Sequence, residues 1–438
     1  MGVYGMKQAQ RVLSTYSVDI FGVCSALYEL GGLVIIHDAS GCNSTYGTHN
    51  EPRWYDTPSM VYISMLREVD TIFGNDTKLI DAICEVAEEA QPAFIAVGGS
   101  PMPNAIGTDF TAVEKMIERR TGIPSMGFRT DGIHSYLPGA GASFRRLAER
   151  FLKDPDPADR KGSGLAEGNR EPAGSDVASD GAERLHVNLL GITPLDLSVV
   201  GNVTRLKSLL DENDMVLQSC WAMGDTLESI STAACADVNA VITSVGIPAA
   251  EYMKEKYGIP YVVGMPMGEA GTKRWLEDLR TKRSALFEGI GTADDEGWNP
   301  MGSGRELFSL NAWEETPITD EDNCDVLLIG EPVFTESLKY LLENEAGVAR
   351  VGQICPMTDA PKKLLKSIDV VSVEDALRER CRRAGRVIAD PIYARLLPEE
   401  PEKFVSLPHE AYSGRHYRED IPRFIGPEFS EWIRRLDL

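Results

Sequence analysis

The sequence predicts an α/β protein in which parallel sheets covered by helices are built more than once. Short apolar runs typical of strands alternate with helical patterns, and short turns separate them. Two stretches poor in large apolar residues divide this alternation into three units. At 438 residues and 48.0 kDa, the chain also exceeds the size at which a single hydrophobic core is usual.

Strands are predicted at nine apolar runs, residues 32–36, 93–97, 187–190, 215–218, 240–243, 261–263, 326–329, 370–373 and 386–389. Helices are expected between them. The clearest helix begins at Asp76, whose carboxylate can cap the first turn, because apolar residues recur at helical spacing from Leu79 to Val86. Six prolines in the last fifty residues restrict regular structure there until a final helix near 428–436.

The domain boundaries are predicted from composition. Residues 153–184 are rich in Asp, Pro, Gly and Ser, and they have too few large apolar side chains to order themselves, so we expect a disordered linker. A weaker break lies at 297–323. The expected domains are therefore residues 1–152, 185–300 and 301–438, and the last of them ends in a tail that wraps over the others.

Charge and hydropathy exclude several classes of function. The formal charge of −23 repels phosphate backbones, so general nucleic-acid binding is not expected. No apolar run reaches the length that spans a bilayer, and no membrane association is expected. The first residues lack the charged-then-apolar order of a signal peptide. We therefore expect a cytoplasmic protein.

Two of the eight cysteines are candidates for metal binding. Cys24 precedes and Cys42 follows the apolar run 33–36, and Gly41 lets the backbone beside Cys42 approach a bulky group. Thiolates at such a turn are good ligands for soft iron. The alternative is that both cysteines are simply buried apolar thiols, as is expected of the other six.

Several segments together resemble the N-terminal domain of nitrogenase component 1 proteins: Cys24, 37–42, 53–55, 64–70 and 73–79. Similar segments follow at 97–101, 127–132, 187–191, 224–227, 257–260 and 330–332. The family includes the subunits of the molybdenum-iron protein, the scaffold that matures its cofactor, dark-operative protochlorophyllide reductase and nickel-sirohydrochlorin reductive cyclase. The resemblance implies three Rossmann-like domains with parallel sheets, of the nitrogenase component 1 type.

The resemblance also implies an iron-sulfur cluster. Family subunits that hold the eight-iron P-cluster supply three cysteines each, whereas the third position here is Ser100. The two remaining thiolates, Cys24 and Cys42, would give a symmetric homodimer the four ligands that a [4Fe-4S] cluster needs. We therefore expect such a cluster to bridge two subunits, beside Gly41 and Ser100. The alternative is a heterodimer with a related chain that supplies an additional ligand.

The expected substrate differs from that of the molybdenum enzyme. The position of the cysteine that binds the active-site cofactor in its catalytic subunit is occupied by Thr243, and a hydroxyl is a poor iron ligand. The resemblance therefore leaves a cavity between the domains for an organic or metallo-tetrapyrrole substrate. In relatives the segment corresponding to 407–417 lines that cavity. His409 and Glu410 are predicted to deliver protons to the reduced substrate.

The chain has no GxxxxGK[ST] phosphate loop, so ATP would have to be hydrolysed on another protein. In the family that partner is an ATP-dependent iron-sulfur reductase similar to the nitrogenase iron protein. The leading hypothesis is a nitrogenase-like reductase component that receives its electrons through the interface cluster and reduces an unidentified substrate. The alternatives are a metallocluster or cofactor assembly scaffold without turnover, and a structural subunit that has lost redox chemistry.

Overall fold

The computed structural model describes residues 13, 17–39, 41, 46, 50–74, 76–155, 184–287, 290 and 323–436. Within these residues, thirteen strands form three sheets in which every strand pairing is parallel. The predicted α/β class is therefore confirmed. Cys42 and most of the predicted linker 153–184 lie outside the described residues.

The first sheet has the strand order β2-β1-β3-β4. Its strands are β1 (Leu33–His37), β2 (Met60–Ile63), β3 (Ile95–Gly99) and β4 (Ser125–Phe128), and its helices are α1 (Asp19–Leu27), α2 (Glu68–Phe73), α3 (Asp76–Ala90), α4 (Pro101–Ala105), α5 (Phe110–Thr121) and α6 (Tyr136–Phe151). Strands β1 and β3 are buried along their whole length, as expected for a parallel sheet covered on both faces. Apart from His37 at the end of β1, their residues are therefore apolar or glycine.

The second sheet has the strand order β6-β5-β7-β8. Its strands are β5 (Leu185–Leu190), β6 (Met215–Cys220), β7 (Val238–Val241) and β8 (Tyr261–Val263), and its helices are α7 (Pro194–Leu197), α8 (Asn202–Asp211), α9 (Leu227–Ser231), α10 (Ile247–Tyr257) and α11 (Gly268–Thr281). The turns that follow β5 and β7 pack closely against each other, because a Cβ atom at Gly246 would lie 2.8 Å from the backbone nitrogen of Gly191.

The third sheet has the strand order β11-β10-β9-β12-β13. Its strands are β9 (Val326–Ile329), β10 (Val351–Cys355), β11 (Asp369–Val370), β12 (Arg386–Ala389) and β13 (Phe404–Ser406), and its helices are α12 (Pro332–Leu341), α13 (Glu374–Arg383), α14 (Glu410–Ser413) and α15 (Ser430–Arg434). The tail after β13 reaches the second unit, where the backbone N–H groups of Phe424 and Ile425 donate to the Asn202 side chain.

Two glycines determine how α1 packs on α6. A Cβ atom at Gly22 would lie 2.1 Å from the carbonyl oxygen of Tyr136, and one at Gly139 would lie 1.8 Å from that of Asp19. Any side chain at either position would separate the two helices. The backbones of α1 and α6 therefore touch, which fixes the position of α1 on α6.

Eight of the nine predicted runs coincide with strands, while the ninth, 370–373, overlaps only the two-residue strand β11. The sequence analysis missed β2, β4, β10 and β13. Strand β2 is a partly exposed edge strand, β4 and β10 contain Gly or Gln, and β13 has three residues, so none has a long apolar run. In the described residues, none of the helices combines the length and apolar character needed to cross a bilayer.

Candidate functional site

A cavity of about 610 Å³ opens where the three units meet. Its described lining residues are Ser17, Phe21, Tyr46 and Asn50 from the first unit, Leu195 from the second, and Pro391, Ile392, Arg395 and residues 410–417 from the third. This volume is in the range of sites that enclose small organic molecules. The segment 407–417 is expected to line an interdomain cavity, and its residues 410–417 do so.

The wall formed by the first unit is aromatic. The rings of Phe21 and Tyr46 stack with their centroids 4.6 Å apart and their planes 16° from parallel. Phe21 projects from α1, whose position is fixed by the glycine contact with α6, while Tyr46 follows Cys42 by four residues in the sequence. Tyr412 and Tyr417 contribute two further rings from the third unit. An apolar or conjugated molecule can therefore pack against several rings at once.

Glu410 lines this cavity, as the sequence analysis requires of a proton donor. Its carboxylate is buried and accepts hydrogen bonds from Nε of Arg418, at 3.0 Å to each oxygen, and from the Ser198 hydroxyl at 3.3 Å. Burial raises the pKa of Glu410, and the Arg418 guanidinium opposes this shift. The carboxyl group is thus held in one orientation by a residue that the sequence analysis did not identify.

His409 lies outside the large cavity. Its side chain is buried and lines a void of only about 10 Å³. Burial lowers its pKa to about 3, so the imidazole is neutral near pH 7. Nδ1 accepts from the backbone N–H of Ala411 at 3.3 Å, so the ring proton is on Nε2. In this position the ring caps α14, and the delivery of protons by His409 stays a prediction.

The Nε2 atom of His409 faces a buried polar junction that joins the three units. Asp196 of α7 lies 3.9 Å from this nitrogen, accepts from the Thr193 hydroxyl at 2.9 Å, and also accepts from the hydroxyl of Tyr136 in α6. Burial raises the pKa of Asp196, and the nearby carboxylate of Glu331, at the start of α12, raises it further, to about 8. None of the hydrogen bonds described for these two carboxyls comes from a Lys or Arg side chain. The carboxyl of Asp196 therefore holds a proton at neutral pH.

Thr243 belongs to the same junction and does not face an open cavity. Its side chain is fully buried, and its hydroxyl donates to the carbonyl oxygen of Gly191 at 2.7 Å. The neighbouring Ser244 N–H donates to Glu331 at 3.0 Å, which ties the second unit to the third. Packing between the second and third units thus encloses Thr243, and its place in a cofactor site stays a prediction.

Cys24 lies within α1. It has no exposed surface and packs in the core beside apolar residues of the same helix. Burial, and to a smaller extent the nearby Glu51, raises the pKa of its thiol. A role for Cys24 in binding a cluster shared with a second subunit stays a prediction, because Cys42, the other expected ligand, lies outside the described residues.

Two other predicted cluster residues, Gly41 and Ser100, follow β1 and β3 in the chain, whereas Cys42 lies outside the described residues. Gly41 is exposed, with no atom within 4 Å of where its Cβ would be. Ser100 is buried, and its hydroxyl has no hydrogen-bond partner in the described structure. The His37 Nδ1 atom lies 2.8 Å from the Ser64 hydroxyl, so this hydrogen bond orients the end of β1.

The buried side chain of Arg53 links α1 to the segment that carries Glu51. Arg53 donates from Nε to Glu51 at 2.6 Å, from a terminal nitrogen to Glu29 at 3.0 Å, and from the other to the carbonyl of Ser25 at 2.8 Å. Glu51 also accepts from the hydroxyl of Tyr46. The sequence analysis used Arg53 only as part of the resemblance. Its role is to hold the cavity wall against α1.

Asp19, Asp131 and His134 place one ligand atom each within 4.8 Å of the others, a spacing that could hold a metal ion. Both carboxylates are already engaged, however. Asp19 accepts from the backbone N–H groups of Ile20, Asp131 and Gly132, and Asp131 accepts from Ile133 and His134. These hydrogen bonds connect the start of α1 to the turn after β4, so the cluster has a structural role.

Comparisons with known proteins agree with this architecture. A family model described as "Nitrogenase component 1 type Oxidoreductase" matches residues 20–287. One subunit of the light-independent protochlorophyllide reductase of Prosthecochloris aestuarii is 35% identical over 98 residues, which cover 22% of this chain and 18% of that protein. The nitrogenase molybdenum-iron protein alpha chain of Clostridium pasteurianum is 26% identical over 220 residues, covering 50% and 36% of the two chains.

The nitrogenase iron-molybdenum cofactor biosynthesis protein NifE of Methanosarcina barkeri is 27% identical over 203 residues, 45% of this chain and 39% of that protein. The matched regions thus span less than half the length of these relatives. A solved structure described as "Nitrogenase Cp1 at pH 6.5" aligns with 98% of this chain and 94% of its own, with a TM-score of 0.62 at 13% identity. This likeness extends to all three units and concerns the fold.

We predict that the buried junction makes stability depend on pH. The pKa of Asp196 rises from 3.8 to about 8 on folding, so its stabilising contribution is complete below about pH 4 and is lost as pH rises through 8. In Asp196→Asn the fall in Tm between about pH 5 and 8.5 should be smaller than in the wild type. Thermal denaturation across this range measures the difference.

The matched control is Asp211→Asn, because the side chain of Asp211 is 90% exposed. This variant should follow the wild-type pH profile. An Asp196→Asn profile parallel to the wild type would contradict the assignment of a proton to the junction.

We also predict that Arg53→Met destabilises the fold strongly, by about 3 to 5 kcal/mol, because it leaves Glu51 buried without its counter-charge. The double variant Arg53→Met with Glu51→Gln should recover much of the lost Tm. Arg435→Met, which removes an exposed pair with Glu431, serves as the control and should have little effect. Equal losses in the single and double variants would argue against a buried charge pair.

Proposed function

Because the chain belongs to the nitrogenase component 1 type oxidoreductase family, we propose that it is the substrate-binding component of a reductase system. In this proposal, electrons come from a separate ATP-dependent iron-sulfur reductase, and the cavity between the three units holds an organic molecule that accepts them. The observation that carries the proposal is the cavity of about 610 Å³ with its stacked Phe21 and Tyr46 rings.

The donor set of the cavity favours an organic substrate over a metallocluster. Among its described lining residues there is no cysteine, and His416 is the one imidazole. A site that holds a soft iron cluster needs thiolate ligands. The assembly-scaffold alternative, which the similarity to NifE raises, would require such ligands, and the described cavity does not offer them.

Glu410 is the residue best placed to deliver a proton to the reduced substrate. Electron addition to an unsaturated organic molecule must be matched by protons, and Glu410 is the carboxyl group among the described lining residues. Burial raises its pKa, while Arg418 opposes this shift and holds the carboxyl group in place. His409 supports this arrangement indirectly, because it caps the helix that begins at Glu410.

The bridging [4Fe-4S] cluster expected from the sequence stays a prediction, because Cys42 lies outside the described residues. If Cys24 keeps its enclosed position in the core, a symmetric homodimer offers its two Cys42 thiols in place of four ligands. We propose that any iron bound at this face involves Cys42 and ligands from a related chain in a heterodimer. The orphaned hydroxyl of Ser100 is a further group at this edge of the sheet.

Iron content after anoxic reconstitution distinguishes the two cysteines. In the presence of the partner chain, Cys42→Ser should lose its iron, whereas Cys24→Ala should retain it, because a thiol within a buried helix does not reach a shared group. Cys84→Ala, at a half-buried cysteine in α3, is the control. A well-folded Cys24→Ala protein without iron would restore the original four-cysteine interpretation.

The proposed function is tested by following small molecules. We would incubate the chain with its reductase, MgATP and a chemical reductant, add a protein-free metabolite extract, and use mass spectrometry to detect compounds that gain hydrogen. Asn50→Trp, which fills the cavity, should abolish the conversion, since Asn50 lines it. Asn344→Trp, at an exposed position outside the cavity, should retain it.

Conversion that persists in Asn50→Trp would place the reaction elsewhere. ATP-dependent transfer of iron or molybdenum without conversion of any organic compound would favour the scaffold alternative.

A further inference from the structure

The mouth of the large cavity is cationic, although the chain as a whole carries a formal charge of −23. Arg395, Arg415 and His416 lie along its lining and are exposed to solvent. Glu410 is the one acidic group among the described lining residues, and its charge is already engaged by Arg418. The local charge at the cavity is therefore opposite in sign to that of the protein.

Arg415 is not explained by an internal ion pair. Other arginines of the third unit are paired, for example Arg350 with Asp325 and Arg380 with Asp369. Within the described part of the chain, neither Arg415 nor His416 has a carboxylate within ion-pair distance. Arg415 therefore remains available to an anion that arrives from solvent.

The aromatic residues that line the rest of the cavity are suited to an apolar part of a ligand. Phe21 and Tyr46 stack within the cavity, and Tyr412 and Tyr417 complete its aromatic lining. A small inorganic anion would leave most of the volume and all of these rings without contact. The basic residues at the mouth are complementary to an acidic group, and the aromatic rings inside are complementary to an apolar group of the same molecule.

We propose that the substrate of the proposed function is an organic anion, with an aromatic or conjugated body that packs on Phe21 and Tyr46 and an acidic group that Arg415 and His416 bind at the mouth. The inference rests on the assignment of this cavity as the substrate site. The positive mouth attracts such a molecule to a protein whose overall charge would otherwise repel it. Neutral molecules of the same shape bind less tightly.

Two fluorescent probes with the same ring system test this inference on the full chain. Anilinonaphthalene sulfonate carries a negative charge, whereas phenylnaphthylamine is neutral. The sulfonate should bind the wild type more tightly, and Arg415→Gln should weaken its binding about threefold to tenfold without changing the affinity for the neutral probe. Added salt should weaken only the sulfonate. Arg435→Gln, at an arginine whose side chain is 78% exposed, is the control and should match the wild type.

The cavity-filling variant Asn50→Trp locates the bound probe and should prevent binding of both molecules. Equal affinities for the two probes, an equal effect of Arg415→Gln on both, or sulfonate binding that is unchanged in Asn50→Trp would each overturn the inference. These titrations need neither ATP nor the reductase. Charge-selective binding without turnover would therefore refute only the proposed function, and turnover without charge selection would refute only this inference.

Discussion

The arrangement of this protein depends on a buried polar junction at which its three units meet. Tyr136 from the first unit, Asp196 from the second and Glu331 from the third come together with Thr243 and His409 in a region without solvent access. Burying such groups is costly unless their hydrogen bonds are satisfied, and here the neighbouring unit supplies part of them. The junction therefore specifies how the three sheets sit relative to one another.

This closed centre determines where a ligand can bind. Because the junction closes the space where the three units meet, the open volume lies to one side, between α1 and residues 391–417. Its aromatic wall, its carboxyl group at Glu410 and its cationic mouth derive from residues distant in sequence. The same packing places Thr243 out of reach of any ligand in this cavity.

The sequence predicted the architecture better than the chemistry. Continuous apolar runs identify buried parallel strands, because such strands are covered on both faces, whereas the short edge strand β2 and the Gln-containing strand β10 have no such signal. A local pattern does not show whether a thiol such as that of Cys24 is enclosed in a helix or presented at a turn, nor that His409 is buried while its neighbour Glu410 reaches the cavity. The roles of Arg53, Arg418 and Asp196 were missed because the contacts that define them, with Ser25, Asn50 and Tyr136 respectively, form only on folding.

The central claim is that substrate binds between α1 and residues 391–417. The most direct test is a structure, determined under anoxic conditions, of the complex of this chain with its reductase and a metabolite that it converts. The account predicts ligand density in contact with Phe21, Tyr46 and Arg415, with the junction at Asp196 and Thr243 unchanged. Density that displaces the junction and contacts Thr243, with an empty cavity at Phe21, would contradict it.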